Sequence, residues 1–298
     1  MTDQNPDPVP TASLFDDRRC TLGEGPLWHP GRAQLFWFDI LGRRLLSRSP
    51  DRKHDNTQEW HFDEYVSAAG WTGQDSLLIA SQTALWHFDI GTGHHEKILP
   101  LEADNPVTRS NDGRADPWGG FWIGTMGKAL EHGAGAIYRY YQGELRQVFD
   151  KITISNAICF SPDGHWVYFT DTPRQTIWRQ ALRSADGWPA ATEPEIFIDL
   201  RSERLNPDGA VVDSTGCLWN AQWGASRVAC YGPDGSFRHA VSFAASQISC
   251  PAFGGAELQT LFATSATEGL PDASGSADGQ TFALRLEATG QSEHQIRL

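Results

Sequence analysis

The sequence predicts an all-β protein, a closed six-bladed β-propeller with four antiparallel strands per blade, on three observations. Short runs of aromatic and β-branched residues alternate with Gly, Asp and Pro turn signals along the whole chain. Strand-like runs then recur at Leu35, Leu77, Phe121, Val167, Leu218 and Leu261, in steps of 42, 44, 46, 51 and 43 residues. That is the period of propeller blades. Finally, the runs are apolar on both faces, as in Leu35-Phe36-Trp37-Phe38, which suits a sheet packed between two neighbours.

Each blade follows from the same local grammar. An acid-and-glycine hairpin precedes most of the runs, as in Asp116-Pro-Trp-Gly119, Ser161-Pro-Asp-Gly164 and Asp213-Ser-Thr-Gly216; Gly31-Arg32 and Gly254-Gly255 do the same in the first and last repeats. A second hairpin follows, for example Ala136–Tyr140 with Leu145–Phe149, or Arg227–Tyr231 with Phe237–Val241. A tandem pair of β-sandwiches would need a linker near mid-chain, and residues 140–160 contain none. The segment Ala12–Arg19 is expected to pair with the last blade, because closing the ring removes exposed strand edges. Residues 1–12 are expected to form a disordered tail and residues 13–298 one propeller domain. Thr176–Arg183 is the one stretch with a weak helical pattern.

Charge narrows the class of partner. The 37 acidic residues exceed the 24 basic ones, for a net charge of −13, and such a surface repels nucleic acid and anionic membranes. No apolar run approaches the ~20 residues of a membrane span, and the first residues carry no secretion signal. Five widely spaced cysteines without a CxxC pair read as small apolar residues in a reducing compartment, so a cytoplasmic location is expected. Oligomeric state is not legible.

The repeat also locates an axis. In a propeller the first strand of each blade lines the central channel. The residues ten to twelve positions before each run are Glu24, Ser67, Asn111, Asn156, Asp208 and Ser249, all polar. Singly, Asp208-Gly209 and Asn111-Asp112-Gly113 read as turn formers, but separate turns have no reason to share one repeat position. Two carboxylates and two carboxamides brought together at one channel end are costly to bury unless a cation or a proton joins them. All-oxygen donors suit Ca²⁺, Mg²⁺ or Mn²⁺. The serines read as neutral fillers. The ten histidines miss the axial position, and His29 reads as a turn residue. No G-x-S-x-G elbow supports a serine hydrolase. Of Trp118, Trp122 and Trp223, the last is best placed to stack on a ligand ring, although blade packing is the commoner fate of tryptophan.

These residues carry a resemblance. Leu22–Trp28, Arg109–Asp116, Phe121–Met126, Ile154–Asn156 with Ser161–Gly164, Pro207–Asp213 and Cys250–Gly255 together resemble the regucalcin, gluconolactonase and luciferin-regenerating enzyme family, in the family's order. The resemblance implies one divalent metal at the channel mouth (Ca²⁺, Zn²⁺, Mn²⁺, Mg²⁺ or Fe²⁺) and hydrolysis of sugar-acid lactones. It implies that Glu24, Asn156 and Asp208 bind the metal, that Asp208 also accepts and donates the proton, and that Arg109 and Asn111 hold the substrate's oxygens. Where some members carry acids after the Gly-Thr-Met segment, this chain has Gly127-Lys128-Ala129, which leaves the choice of sugar open. Two alternatives stand beside this reading: a metal-dependent esterase or phosphotriesterase on the same site, and a calcium-binding propeller without catalysis.

Overall fold

The computed structural model describes residues 12–51, 56–271 and 276–298. The described residues form six four-stranded antiparallel sheets. Blade 1 runs Gly23–His29, Gln34–Asp39, Arg44–Arg48 and Gln58–His61, from the inside outward. Blade 2 follows with Val66–Gly73, Ser76–Ser81, Ala84–Asp89 and His95–Pro100, and blade 3 with Thr108–Ala115, Phe121–Gly127, Gly135–Tyr141 and Glu144–Ile152. Blade 4 holds Ser155–Phe160, Trp166–Asp171, Thr176–Ala181 and Glu195–Asp199. Blade 5 holds Asn206–Val212, Leu218–Trp223, Arg227–Tyr231 and Phe237–Ser242. Blade 6 takes three strands from Ile248–Gly254, Thr260–Ser265 and Thr281–Arg285, and its outermost from Ser13–Asp16. The ring therefore closes by pairing the two ends of the chain, as expected for Ala12–Arg19.

Inner strands pack against inner strands around the ring, the sixth against the first. Burial falls from the axis outward: Gln34–Asp39 is buried throughout, whereas His95–Pro100 is largely exposed. The two-faced apolar pattern is thus the signature of an inter-blade strand. The longest sequence step, 51 residues, reflects the connection at residues 182–194 between the third and fourth strands of blade 4.

Two of the acid-and-glycine hairpins are built alike. Asp116 Oδ1 accepts the N–H groups of Trp118 and Gly120, each at 2.9 Å, while its Oδ2 accepts the Trp122 indole at 3.1 Å. Asp213 repeats this with Thr215, Cys217 and the Trp219 indole. One aspartate closes the turn and ties it to a fully buried tryptophan six residues on. Asp116 also pairs with the buried Arg139 at 2.6 Å.

One expectation needs correction. Thr176–Ala181 is a strand, because its Thr, Ile and Trp pair on both sides with strands of blade 4. The one helical turn among the described residues is the 3₁₀ segment Thr172–Arg174. His29 ends the first inner strand and opens the turn, its carbonyl accepting the Arg32 N–H at 3.2 Å; its ring is fully buried, with Nε2 3.0 Å from the Gly73 carbonyl. Residues 1–11 of the expected tail lie outside the described residues; Ala12 is buried, with its N–H on the Ser242 carbonyl at 3.1 Å.

At one end of the channel the C-terminal segment crosses the inner strands. Gln291 Nε2 donates to the Phe160 and Val212 carbonyls, Glu293 pairs with Arg114 at 2.5 Å, and Ile296 is buried beneath Trp71, whose carbonyl accepts its N–H. The candidate site lies at the other end. No helix among the described residues is long and apolar enough to cross a membrane.

Candidate active site

Every inner strand carries a register irregularity at the same level. The shifts fall between Glu24 and Leu27, Val66 and Ala68, Ser110 and Gly113, Asn156 and Cys159, Pro207 and Ala210, and Ile248 and Pro251. A bulge inserts a residue, breaks the ladder locally and re-aims side chains. The six axial polar residues all sit at or beside these bulges, so the doublets that read as turn formers are bulge formers. Gly25 and Ala157, each following an axial residue, both take positive φ, +54° and +58°.

The strand entries are anchored in parallel. Asp39 Oδ1 accepts the N–H of Leu22 at 3.0 Å, two residues before Glu24. Asp171 Oδ1 accepts the N–H groups of Thr153 and Ile154 at 3.1 and 2.9 Å, and Ile154 lies two residues before Asn156. Both acids end the second strand of their blade. Asn220 Nδ2 in turn donates to the Asp208 and Gly209 carbonyls at 2.9 and 3.2 Å, pinning that bulge.

Glu24, Arg109, Asn111, Asn156 and Asp208 line one cavity of about 580 Å³. All five are buried, at 3–5% of full exposure. Ser67 and Ser249 are spent elsewhere, on Ser110 and on the Gly23 carbonyl with Thr264. Glu24 Oε2 accepts the N–H of Gly25, the residue that follows it, at 3.0 Å. Burial, then the nearby charge of Asp112, pushes the Glu24 carboxyl up to about 8. Burial, then the charges of Glu24 and Asp112, raises Asp208 well above the ordinary carboxyl range. Burial lowers the Arg109 guanidinium, and Glu268 and Glu24 act against that shift.

Arg109 makes no ion pair with Asp112 or Asp116. Its Nη1 donates to the Ser110 carbonyl at 2.8 Å and to Asn111 Oδ1 at 2.7 Å. Asp116 is held by Arg139, and Asp112 Oδ2 accepts the Ile158 N–H at 2.7 Å. Asn111 Nδ2 donates to the Ser155 carbonyl at 2.9 Å and to Asn156 Oδ1 at 3.0 Å. Both Asn111 amide hydrogens are therefore committed within the protein, and toward a ligand this side chain offers its oxygen.

Sequence reasoning missed Thr172, Gln247 and Glu268, which also line the cavity. They sit outside the inner strands, so the repeat offset passes over them; the end of the blade 4 strand at Asp171 was the available signal for Thr172. Lys128, Ala129 and Leu130 form one lip, with the Lys128 N–H on the Val107 carbonyl. Trp223 lines the cavity too, while Trp122 is buried in blade packing and Trp118 bonds the Ser184 carbonyl.

Comparison with known proteins places the chain in a family. The model of the SMP-30/gluconolactonase/LRE-like region matches residues 22–267. The chain belongs to that family. Among its relatives, an L-arabinolactonase of Azospirillum brasilense is 36% identical, over 89% of this chain and 87% of that protein. A 6-deoxy-6-sulfogluconolactonase of Pseudomonas putida is 33% identical, over 91% and 94%. A solved structure of a calcium-binding protein, regucalcin, from Agrobacterium tumefaciens strain C58 superposes with a TM-score of 0.93 at 37% identity, covering 98% of both chains.

The donor set fits a hard divalent cation. Burial and neighbouring carboxylates raise the proton affinity of both Glu24 and Asp208, and one lone pair of Asn156 Oδ1 remains after the bond from Asn111. Among the described residues no three His, Cys, Asp or Glu side chains are grouped to hold a metal, so a cation here would rest on two carboxylates completed by a carboxamide.

Proposed function

We propose that this protein hydrolyses the ring ester of a sugar-acid lactone to the free aldonic acid, using one divalent cation held by Glu24, Asn156 and Asp208. The observation that supports it most is the pair of like charges, Glu24 and Asp208, buried beside two carboxamides at the foot of an open cavity of ligand size. The relatives' lactonase activities supply the reaction class.

When bound, a divalent cation would supply Lewis-acid polarisation of the lactone carbonyl. Asp208 takes a proton from the attacking water as its oxygen adds to the carbonyl carbon. The ring C–O bond then breaks, and Asp208 returns the proton to the departing ring oxygen. A carboxyl whose proton affinity is raised by burial and by neighbouring acids is suited to both transfers. Arg109 holds a carbonyl or hydroxyl oxygen of the substrate through guanidinium hydrogens that the protein leaves unused. Asn111 accepts from a substrate hydroxyl through its remaining lone pair. Trp223 and the apolar lip at Leu130 cover the ring's less polar face.

A panel of γ- and δ-lactones, assayed by proton release, tests the reading. The cation-free protein is titrated with Ca²⁺, Mg²⁺, Mn²⁺, Zn²⁺ and Fe²⁺, against enzyme-free controls for spontaneous hydrolysis. Cation-dependent turnover is expected. Cation binding without turnover on any lactone would leave a non-catalytic calcium-binding propeller, and turnover of aryl esters or phosphotriesters alone would move the substrate class.

A further inference from the structure

Four side chains from two blades form one directed hydrogen-bond relay that ends on a third. Arg109 donates to Asn111 Oδ1, Asn111 Nδ2 donates to Asn156 Oδ1, and Asn156 Nδ2 donates to Thr172 Oγ1 at 3.0 Å. Thr172 Oγ1 donates to the Pro207 carbonyl at 2.8 Å, in the residue before Asp208. Its direction is fixed chemically at both ends, because a guanidinium can only donate and a backbone carbonyl can only accept.

The consequence falls on Asn156. A carboxamide can turn end for end with little change in shape, presenting either NH₂ or oxygen to a cation. The single Thr172 hydroxyl hydrogen is spent on Pro207, so that hydroxyl can only accept from Asn156. The amide nitrogen must therefore face Thr172, and the oxygen must face the other way, toward Asn111. We propose that Thr172 is a positioning residue that fixes the Asn156 carboxamide oxygen-inward for the cation, and that its bond to Pro207 keeps this setting in step with the adjoining Asp208. In this role Thr172 acts through Asn156, to which it is hydrogen-bonded. The inference rests on the cation reading of the site but not on the choice of substrate.

The experiment measures cation affinity directly, by calorimetric titration of the cation-free protein with Ca²⁺ and with Mn²⁺. Thr172→Val keeps the shape and removes the hydroxyl; Thr172→Ser keeps the hydroxyl; Thr172→Ala, run alongside, removes it without bulk. The expected loss is about 10- to 100-fold in affinity for the Val and Ala variants, the range for partners that orient a metal ligand, with Ser close to the parent. A second background separates orientation from support. Asn156→Asp presents oxygen at either end and has no orientation to set, so Thr172→Val should cost less than about threefold there. Equal losses in both backgrounds, unchanged affinity in the Val and Ala variants, failure of both to fold, or no divalent-cation binding by the parent each overturn the proposal. Absence of lactone turnover with the affinity pattern intact would instead count against the hydrolytic function alone.

Discussion

The carboxamides of Asn111 and Asn156 meet head to tail at 3.0 Å, joining the inner strands of the third and fourth blades. A residue expected to hold substrate is thereby hydrogen-bonded to one expected to hold the cation. The two halves of the site are one structure, and substitutions on either side are best read through cation affinity and turnover together.

Asp208→Ala is expected to lower kcat by at least ~10²-fold with cation saturating, within the usual range for loss of a general acid-base, and to weaken cation binding. Steady-state kinetics on the best lactone, with calorimetry in parallel, gives both numbers. Retained turnover at saturating cation would remove Asp208 from the proton-transfer role.

Asn156→Ala should act through affinity first. The cation concentration for half-maximal rate is expected to rise by about tenfold or more, and excess cation should recover part of kcat. An unchanged titration curve would deny Asn156 a ligand role.

Arg109→Ala removes the donor at the head of the relay and the guanidinium beside the substrate. The expected outcome is a large rise in KM or fall in kcat, with a much smaller loss of cation affinity because Ser155 still holds Asn111. If cation affinity and turnover fall by equal factors, Arg109 is a support of the ligand cage and not a substrate contact.

The cation-free protein should lose stability as pH rises. Glu24 binds its proton more tightly folded, at about 8, than at its ordinary 4.5, and Asp112, raised by burial to about 6, has the same sign. A raised folded-state value gives stability that is complete below the unfolded value and lost as pH climbs through the folded one. The melting temperature of the cation-free protein is therefore expected to fall between pH 4.5 and about 8, and saturating Ca²⁺ should offset that fall by replacing the protons. A flat or rising profile without cation would show that the carboxylates are already compensated.

Gly25→Ala tests the bulge geometry. Gly25 has φ +54°, and an added Cβ would press on the Ser67 carbonyl and lie 3.1 Å from the Phe38 ring. Strain of about 1–3 kcal/mol is expected, visible in urea unfolding, together with weakened cation binding because Glu24 is adjacent. A variant as stable as the parent would show that the first bulge relaxes freely.

Much of this architecture was legible because it repeats. The runs at Leu35, Phe121 and Leu218 are apolar on both faces only because a blade lies on each side, and their spacing placed Glu24, Asn156 and Asp208 on one axis. What escaped is what the repeat does not encode. The bulges at Asp208-Gly209 and Asn111-Asp112-Gly113 share their residue types with ordinary turns, so local sequence does not separate the two. Thr172 and Glu268 reach the cavity from a 3₁₀ turn and a loop, where position depends on local path and not on period. Thr176–Arg183 looked weakly helical until strands on either side supplied partners for Thr176–Ala181, and His29 is buried by blade 2, a neighbour distant in sequence.

The segment carrying Gln291, Glu293 and Ile296 gives the ring a floor. For the proposed reaction, reactant and product then share a single doorway, and the freed acid must clear Lys128 and Glu268 before the next lactone can enter. Accumulating product competes for the same anchoring groups, so turnover is expected to throttle itself as acid builds up, with inhibition that is competitive in form.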